Sequence, residues 1–160
     1  MSSISPRTSV LRIKYIRSRK KRQVATKGAL IMDYNQMEYL LDHYKNPRNY
    51  GSLQNPDITH EEGNPSCGDV IRIDLKITGN KVQKVKFTGK GCAISQAAAS
   101  ILTDMIVDKD VDYIKEINKD DMLSALGITL SPVRYKCGLL ALKVLRSGVH
   151  GIKNWPGEEE

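Results

Sequence analysis

The stretch Val70-Ile71-Arg72-Ile73-Asp74-Leu75-Lys76-Ile77, followed by Thr78-Gly79-Asn80 and then Lys81-Val82-Gln83-Lys84-Val85-Lys86-Phe87, decides the fold. Ile71, Ile73, Leu75 and Ile77 alternate with Arg72, Asp74 and Lys76. Apolar residues at every second position describe a half-buried strand, because successive side chains of a strand point to opposite faces. Thr78-Gly79-Asn80 supplies turn chemistry, and Val82, Val85 and Phe87 form the returning strand, so the segment predicts a hairpin with one face on a core.

Outward from that hairpin the periodicity changes. Downstream, Ile94, Ala97, Ala98, Ile101, Leu102 and Met105 share one broad face of a helix over 93–107, and two short helices are expected at 111–117 and 120–126. Ser131-Pro132 opens a last helix: serine suits the N-cap, and proline suits the first helical position, whose N–H has no intrahelical partner. Val133, Leu139, Leu140, Leu142 and Leu145 are its apolar members, with Ser147-Gly148 read as the stop. Upstream, Met37, Leu40, Leu41 and Tyr44 form a helix over 33–45 ended by Asn46-Pro47, and 51–65, rich in Asn, Pro, Gly and acids, reads as a loop. Helices gathered on one face of a small, about three-stranded antiparallel sheet make an α+β fold. The body spans 33–150, flanked by a basic leader or misplaced start at 1–32 and a flexible tail at 151–160.

The charge is concentrated in the leader. Of the 25 Lys and Arg, nine fall in residues 1–31, which contain no acid, and the remaining 16 face all 18 acidic residues. The net charge of +7 therefore belongs to the leader, and the body is slightly acidic. A basic arm suits a solvated extension, organelle targeting or contact with phosphate backbones. Nucleic-acid binding by the body is disfavoured, since one Phe and one Trp make no stacking platform. An apolar run approaching the roughly 18 residues of a membrane span is missing, and the chain reads as cytoplasmic, with targeting by residues 1–31 as the alternative. The sequence also lacks Gly-x-Ser-x-Gly, His-Glu-x-x-His and a phosphate-binding glycine loop.

Three cysteines carry the chemistry: Cys67 in Asn-Pro-Ser-Cys-Gly-Asp, Cys92 in Gly-Lys-Gly-Cys-Ala, and Cys137 in Arg-Tyr-Lys-Cys. With Asp69 they offer four ligands, and sulfur-rich sets select zinc or iron–sulfur units over magnesium or calcium. Each cysteine taken singly also fits a small buried apolar residue. Cys67, in a polar loop, has least need of that role. Cys92 and Cys137 are placed at or near helix starts, where partial positive charge favours thiolate, and Lys90, Arg134 and Lys136 add to that bias. Gly68, between Cys67 and Asp69, permits a bend that aims both at one ion. His43, His60 and His150 are scattered and read as surface or polar-loop residues.

Four ordered blocks bring these residues into one pattern: Leu41-Asp42-His43-Tyr44-Lys45-Asn46-Pro47-Arg48-Asn49, Asn64-Pro65-Ser66-Cys67-Gly68-Asp69, Gly89-Lys90-Gly91-Cys92-Ala93-Ile94-Ser95 and Ser131-Pro132-Val133-Arg134-Tyr135-Lys136-Cys137. Over about Tyr34 to Leu145 the chain resembles the iron–sulfur cluster assembly scaffolds of the IscU/NifU N-terminal type, within them the SufU-like branch. The resemblance implies an IscU/SufE-like α+β fold holding a transient 2Fe-2S cluster, iron, or zinc in the cluster-free form. The implied ligands are Cys67, Cys92, Cys137 and a fourth group. The IscU branch has histidine where this chain has Lys136, a poor ligand, so Asp69 becomes the fourth donor. Its Leu-Pro-Pro-Val-Lys signature is altered to Leu130-Ser131-Pro132-Val133-Arg134, and an insertion of Gram-positive SufU proteins between the last two cysteines is missing.

The implied partners are a cysteine desulfurase and recipient apo-proteins, and a second copy bridged at the cluster site is a further candidate; the implied role is a scaffold and sulfur acceptor, not an enzyme, with sulfurtransferase activity left open. Cys137, beside Lys136, is the first candidate to accept persulfide sulfur, with Cys67 second. A zinc-dependent sulfurtransferase partner of the desulfurase is the alternative, and a nucleic-acid-binding protein acting through the arm is a third reading.

Overall fold

The structure, a computed structural model, describes residues 29–158. Its elements are α1 (Ala29–Lys45), β1 (Ile58–Asn64), β2 (Asp69–Thr78), β3 (Lys81–Lys90), α2 (Ala93–Ile106), α3 (Tyr113–Glu116), α4 (Lys119–Leu126) and α5 (Pro132–His150). The strands form one antiparallel sheet in the order β1-β2-β3. β2 and β3 pair from Val70↔Lys90 to Thr78↔Lys81, with a register shift at Lys76/Ile77, and Gly79 turns the chain at φ +63°.

The helix-facing side of the hairpin carries Ile71, Ile73, Leu75, Val85 and Phe87, all buried. α2 and α5 cover it with Ala97, Ala98, Leu102, Leu140, Ala141, Leu142 and Val144. Alanines at the crossing let the backbones approach, and each large apolar side chain withdrawn from water contributes about 1.5–3 kcal/mol. The expected α+β layer of helices on a three-stranded antiparallel sheet is present.

Four boundaries differ from expectation, each for a local reason. Residues 58–64, inside the expected loop 51–65, form β1, paired from Ile58↔Leu75 to Asn64↔Asp69. Its inward side chains include His60 and Glu62, so no apolar alternation marks it; the open edge of β2 makes it a strand. α1 begins at Ala29 and runs across residue 32. α3 is a single turn, anchored by buried Ile114. α5 continues through Ser147-Gly148 to His150, ending at Gly151 with φ +68°. A Cβ at Gly148 would lie 2.7 Å from His60 Cβ, so this glycine serves helix–strand contact and does not stop the helix.

α4 starts on a capping box: Asn118 accepts from Asp121 N–H, and the Asp121 carboxylate accepts from Asn118 N–H. After α5 the chain turns back on the body. Trp155 packs on the core with Lys136 Nζ 5.1 Å and Lys143 Nζ 5.3 Å from its ring centroid, and Pro156 is buried. Most of the basic leader lies outside the described residues. Among the described residues, no helix is long and apolar enough to cross a membrane.

Candidate metal centre

The centre sits where the β1–β2 turn, the end of β3 and two helix starts meet. Asn64 builds the turn: its Oδ1 accepts from Ser66 N–H at 3.1 Å, and its carbonyl accepts from Gly68 N–H at 2.8 Å and Cys67 N–H at 3.3 Å. Gly68 takes φ +74°, a conformation that costs other residues about 1–2 kcal/mol. This reversal leaves Cys67 exposed and puts Asp69, only 3% exposed, on the helix-facing side at the first position of β2.

Cys92 is the N-cap residue of α2. Its N–H donates to Asp69 Oδ1 at 3.1 Å and its thiol to Asp69 Oδ2 at 3.2 Å. Ser95 Oγ donates to the Cys92 carbonyl at 3.1 Å. Gly91 makes the approach feasible, since a Cβ there would stand 2.5 Å from Asp69 Cγ and Oδ1. Cys137, in α5 and 5% exposed, donates its thiol to Cys67 Sγ at 3.6 Å.

The ligand atoms of Cys67, Asp69 and Cys137 lie within 4.8 Å of one another, and Cys92 joins through Asp69. A tetrahedral zinc with sulfur at about 2.3 Å and oxygen near 2.1 Å has ligand–ligand edges of roughly 3.6–3.8 Å. The Cys67–Cys137 and Cys92–Asp69 separations of 3.6 and 3.2 Å are close to those edges. Two sulfurs and one carboxylate therefore stand near the spacing a thiophilic ion needs, and the Cys92 thiol lies beside them, bonded to Asp69. The Lys136 ammonium lies over the Trp155 ring, 5.1 Å from its centroid.

The electrostatics correct one expectation. Burial, followed by the Cys67 and Cys92 side chains, pushes the Cys137 thiol up to about 12, so in the metal-free protein it is held as thiol, not favoured as thiolate. Cys137 lies beyond the first turn of α5, where the positive end of the helix acts most strongly, and the Lys136 ammonium is directed to Trp155. Asp69 behaves differently. Burial raises its carboxyl, but hydrogen bonds from the Cys92, Cys67 and Ser95 side chains and from Cys92 N–H outweigh that and hold it below the ordinary carboxylate value.

A second correction concerns His43. It is buried at 3% exposure, with Nδ1 2.7 Å from Ser100 Oγ, which also accepts from Arg48 N–H at 2.8 Å. This network ties the turn after α1 to α2. His60 meets Glu62 at 2.8 Å, and His150 Nε2 lies 3.1 Å from the Val111 carbonyl oxygen. None of the three histidines belongs to the metal cluster. Sequence reasoning passed over Asn64 and Ser95 as parts of the site. Asn-Pro-Ser ahead of Cys67 is a side-chain-capped turn signal, and Ser95 falls three residues after a helix N-cap.

Residues 34–158 match the family model described as the NifU-like N terminal domain. The chain belongs to the NifU-like N-terminal domain family. This NifU-like chain is 38% identical over 129 residues to the zinc-dependent sulfurtransferase SufU of Bacillus subtilis (strain 168), covering 70% of itself and 87% of that relative. It is 31% identical over 121 residues to the iron-sulfur cluster assembly scaffold protein IscU of Escherichia coli (strain K12), covering 73% and 93% respectively. Among solved structures, FiSufU, a SUF-system protein of thermophilic Fervidobacterium Islandicum AW-1, superposes with TM-score 0.60 at 29% identity, over 70% of this chain and 94% of that one. The N-terminal part of a NifU-like protein from Brucella abortus shares the NifU-like fold at TM-score 0.63 and 19% identity, over 72% and 92%.

Proposed function

We propose that this NifU-like chain is a scaffold on which a labile 2Fe-2S cluster is built from iron and persulfide sulfur and then passed to apo-proteins. The observation that carries the reading is the convergence of Cys67, Asp69 and Cys137 within 4.8 Å, with Cys92 bonded to Asp69. Three thiolates bind iron firmly, whereas the carboxylate is a harder, more exchangeable donor. A cargo site needs that weak point.

Sulfur arrives from a cysteine desulfurase by thiol exchange. A Cys67 thiolate attacks the outer sulfur of the desulfurase persulfide, a new sulfur–sulfur bond forms on Cys67, and the desulfurase cysteine leaves as thiolate. Exposure of Cys67 and burial of Cys137 support Cys67 as the acceptor, reversing the order suggested by helix charge alone. The site works where thiols stay reduced, in keeping with a cytoplasmic protein. Nothing in the described residues favours the nucleic-acid reading.

A second reading, a zinc-dependent sulfurtransferase that relieves the desulfurase of its persulfide, is favoured by the similarity to the B. subtilis protein of that name. Zinc bound by Cys67, Asp69, Cys92 and Cys137 would hold the cysteines as thiolates. Anaerobic purification with metal and sulfide analysis separates the two: iron with acid-labile sulfide supports the scaffold, and a single zinc with accelerated desulfurase turnover supports the transferase. Under the scaffold reading, Asp69→Ala gives a cluster that outlives the wild-type one and transfers more slowly to an apo-ferredoxin. A variant that assembles no cluster refutes the exchange role of Asp69.

A further inference from the structure

Asn64 holds a buried polar atom that the turn does not use. The residue is 2% exposed; its Oδ1 is committed to Ser66 N–H, which fixes the orientation of the amide, and its Nδ2 has no acceptor among the described residues. Turning the amide over would set Nδ2 against another N–H. Asn64 and Asp69 are directly paired across β1 and β2, so their side chains share the helix-facing side of the sheet.

The donors and acceptors of the site explain the orphan. In the metal-free protein, the Cys92 thiol and Cys92 N–H donate to Asp69, and the Cys137 thiol donates to Cys67. These donors already have acceptors, while Nδ2 has none. A thiophilic ion replaces the thiol protons, so each cysteine becomes an acceptor-only sulfur. The same pocket then has surplus acceptors and needs donors.

We propose that Asn64 is a positioning residue of the metal centre, whose Nδ2 donates to the ligand set only in the loaded state. The inference rests on the reading of the cluster as a metal centre. It assigns Asn64 two separable jobs: Oδ1 shapes the Cys67 turn at all times, and Nδ2 steadies the liganded sulfur or carboxylate. Donors of this kind, one shell outside the metal, are worth about 10- to 100-fold in metal affinity.

The two jobs separate by substitution. Asn64→Asp keeps an acceptor for Ser66 N–H and removes the donor, whereas Asn64→Ala removes both. The test is chelator competition with zinc on the full chain, together with the side-chain amide resonances of 15N-labelled wild type before and after zinc. Asn64→Asp is expected to bind zinc about 10- to 100-fold more weakly, and one Asn64 amide proton to shift and become protected from exchange on loading. Zinc affinity of Asn64→Asp at or above the wild-type value overturns the inference. So does an Asn64 amide that zinc leaves unmoved, a wild-type measurement that holds even where a variant fails to fold. A wild-type chain that takes up no zinc overturns the metal-centre reading instead.

Discussion

Replacing Gly91 with alanine tests whether the Asp69 carboxylate is held in place by the backbone packed against it. The added Cβ would lie 2.5 Å from Asp69 Cγ and Oδ1 and 2.8 Å from Ser95 Oγ, where ordinary contact is 3.4–4 Å. The carboxylate must retreat by about 1 Å, beyond the reach of Cys92 N–H, now 3.1 Å away, and of the Cys92 thiol at 3.2 Å. Losing a hydrogen bond to a charged group costs about 1.5–3 kcal/mol, or about 10- to 150-fold in zinc affinity if the ligand stays displaced. Gly68→Ala is the control. No atom lies within 4 Å of its added Cβ, so its φ of +74° imposes a strain of about 1–2 kcal/mol on the turn without pushing Asp69. Chelator competition and thermal melting of zinc-free and zinc-loaded protein read the two variants. Zinc affinity of Gly91→Ala within about twofold of wild type, with an unchanged zinc-free melting temperature, would refute the reasoning.

Four further outcomes follow from burial and hydrogen bonding at the site and around His43. In zinc-free protein near pH 8, iodoacetamide should label exposed Cys67 first and Cys137 last; mass spectrometry of the modified peptides gives the order, and early labelling of Cys137 contradicts its burial. The Cys137 thiol is raised from 9.0 to about 12, so above about pH 9 the unfolded chain gives up a proton that the folded chain keeps. Zinc-free stability therefore falls as pH rises through that window, and Cys137→Ala should flatten the fall in denaturant titrations. Ser100→Ala removes the hydroxyl shared by His43 Nδ1 and Arg48 N–H and should cost about 1–3 kcal/mol by urea unfolding. His43 is lowered from 6.5, chiefly by burial and then by Arg48, so its neutral form is the one the fold accepts; stability is lost as pH falls below about 6.5, and His43→Gln should weaken that dependence.

The sheet's central hairpin was legible because its burial alternates with the residue types: Ile71, Ile73 and Leu75 are buried where the period-two pattern places them. α2 and α5 were legible for the same reason at helical period. β1 was not, because an edge strand with His60 and Glu62 on its inner side looks polar, and only the hydrogen bonds offered by β2 make it a strand. Gly148 misled because a glycine that ends a helix and one that lets a helix touch a strand are the same letter. His43 was misread because its burial depends on Ser100, fifty-seven positions away.

At the site, residue type and local setting were enough to nominate Cys67, Asp69, Cys92 and Cys137, since thiols in glycine-rich turns and at helix starts signal metal chemistry before any coordinates exist. Their mutual distances were beyond the reach of sequence, because 25- and 45-residue separations are closed by packing of the sheet against α2 and α5, not by a local loop. Packing alone likewise decided that the Cys137 thiol keeps its proton, that Lys136 lies on Trp155, and that Asn64 carries an unused donor: each follows from which groups are buried together, and burial is a property of the folded whole.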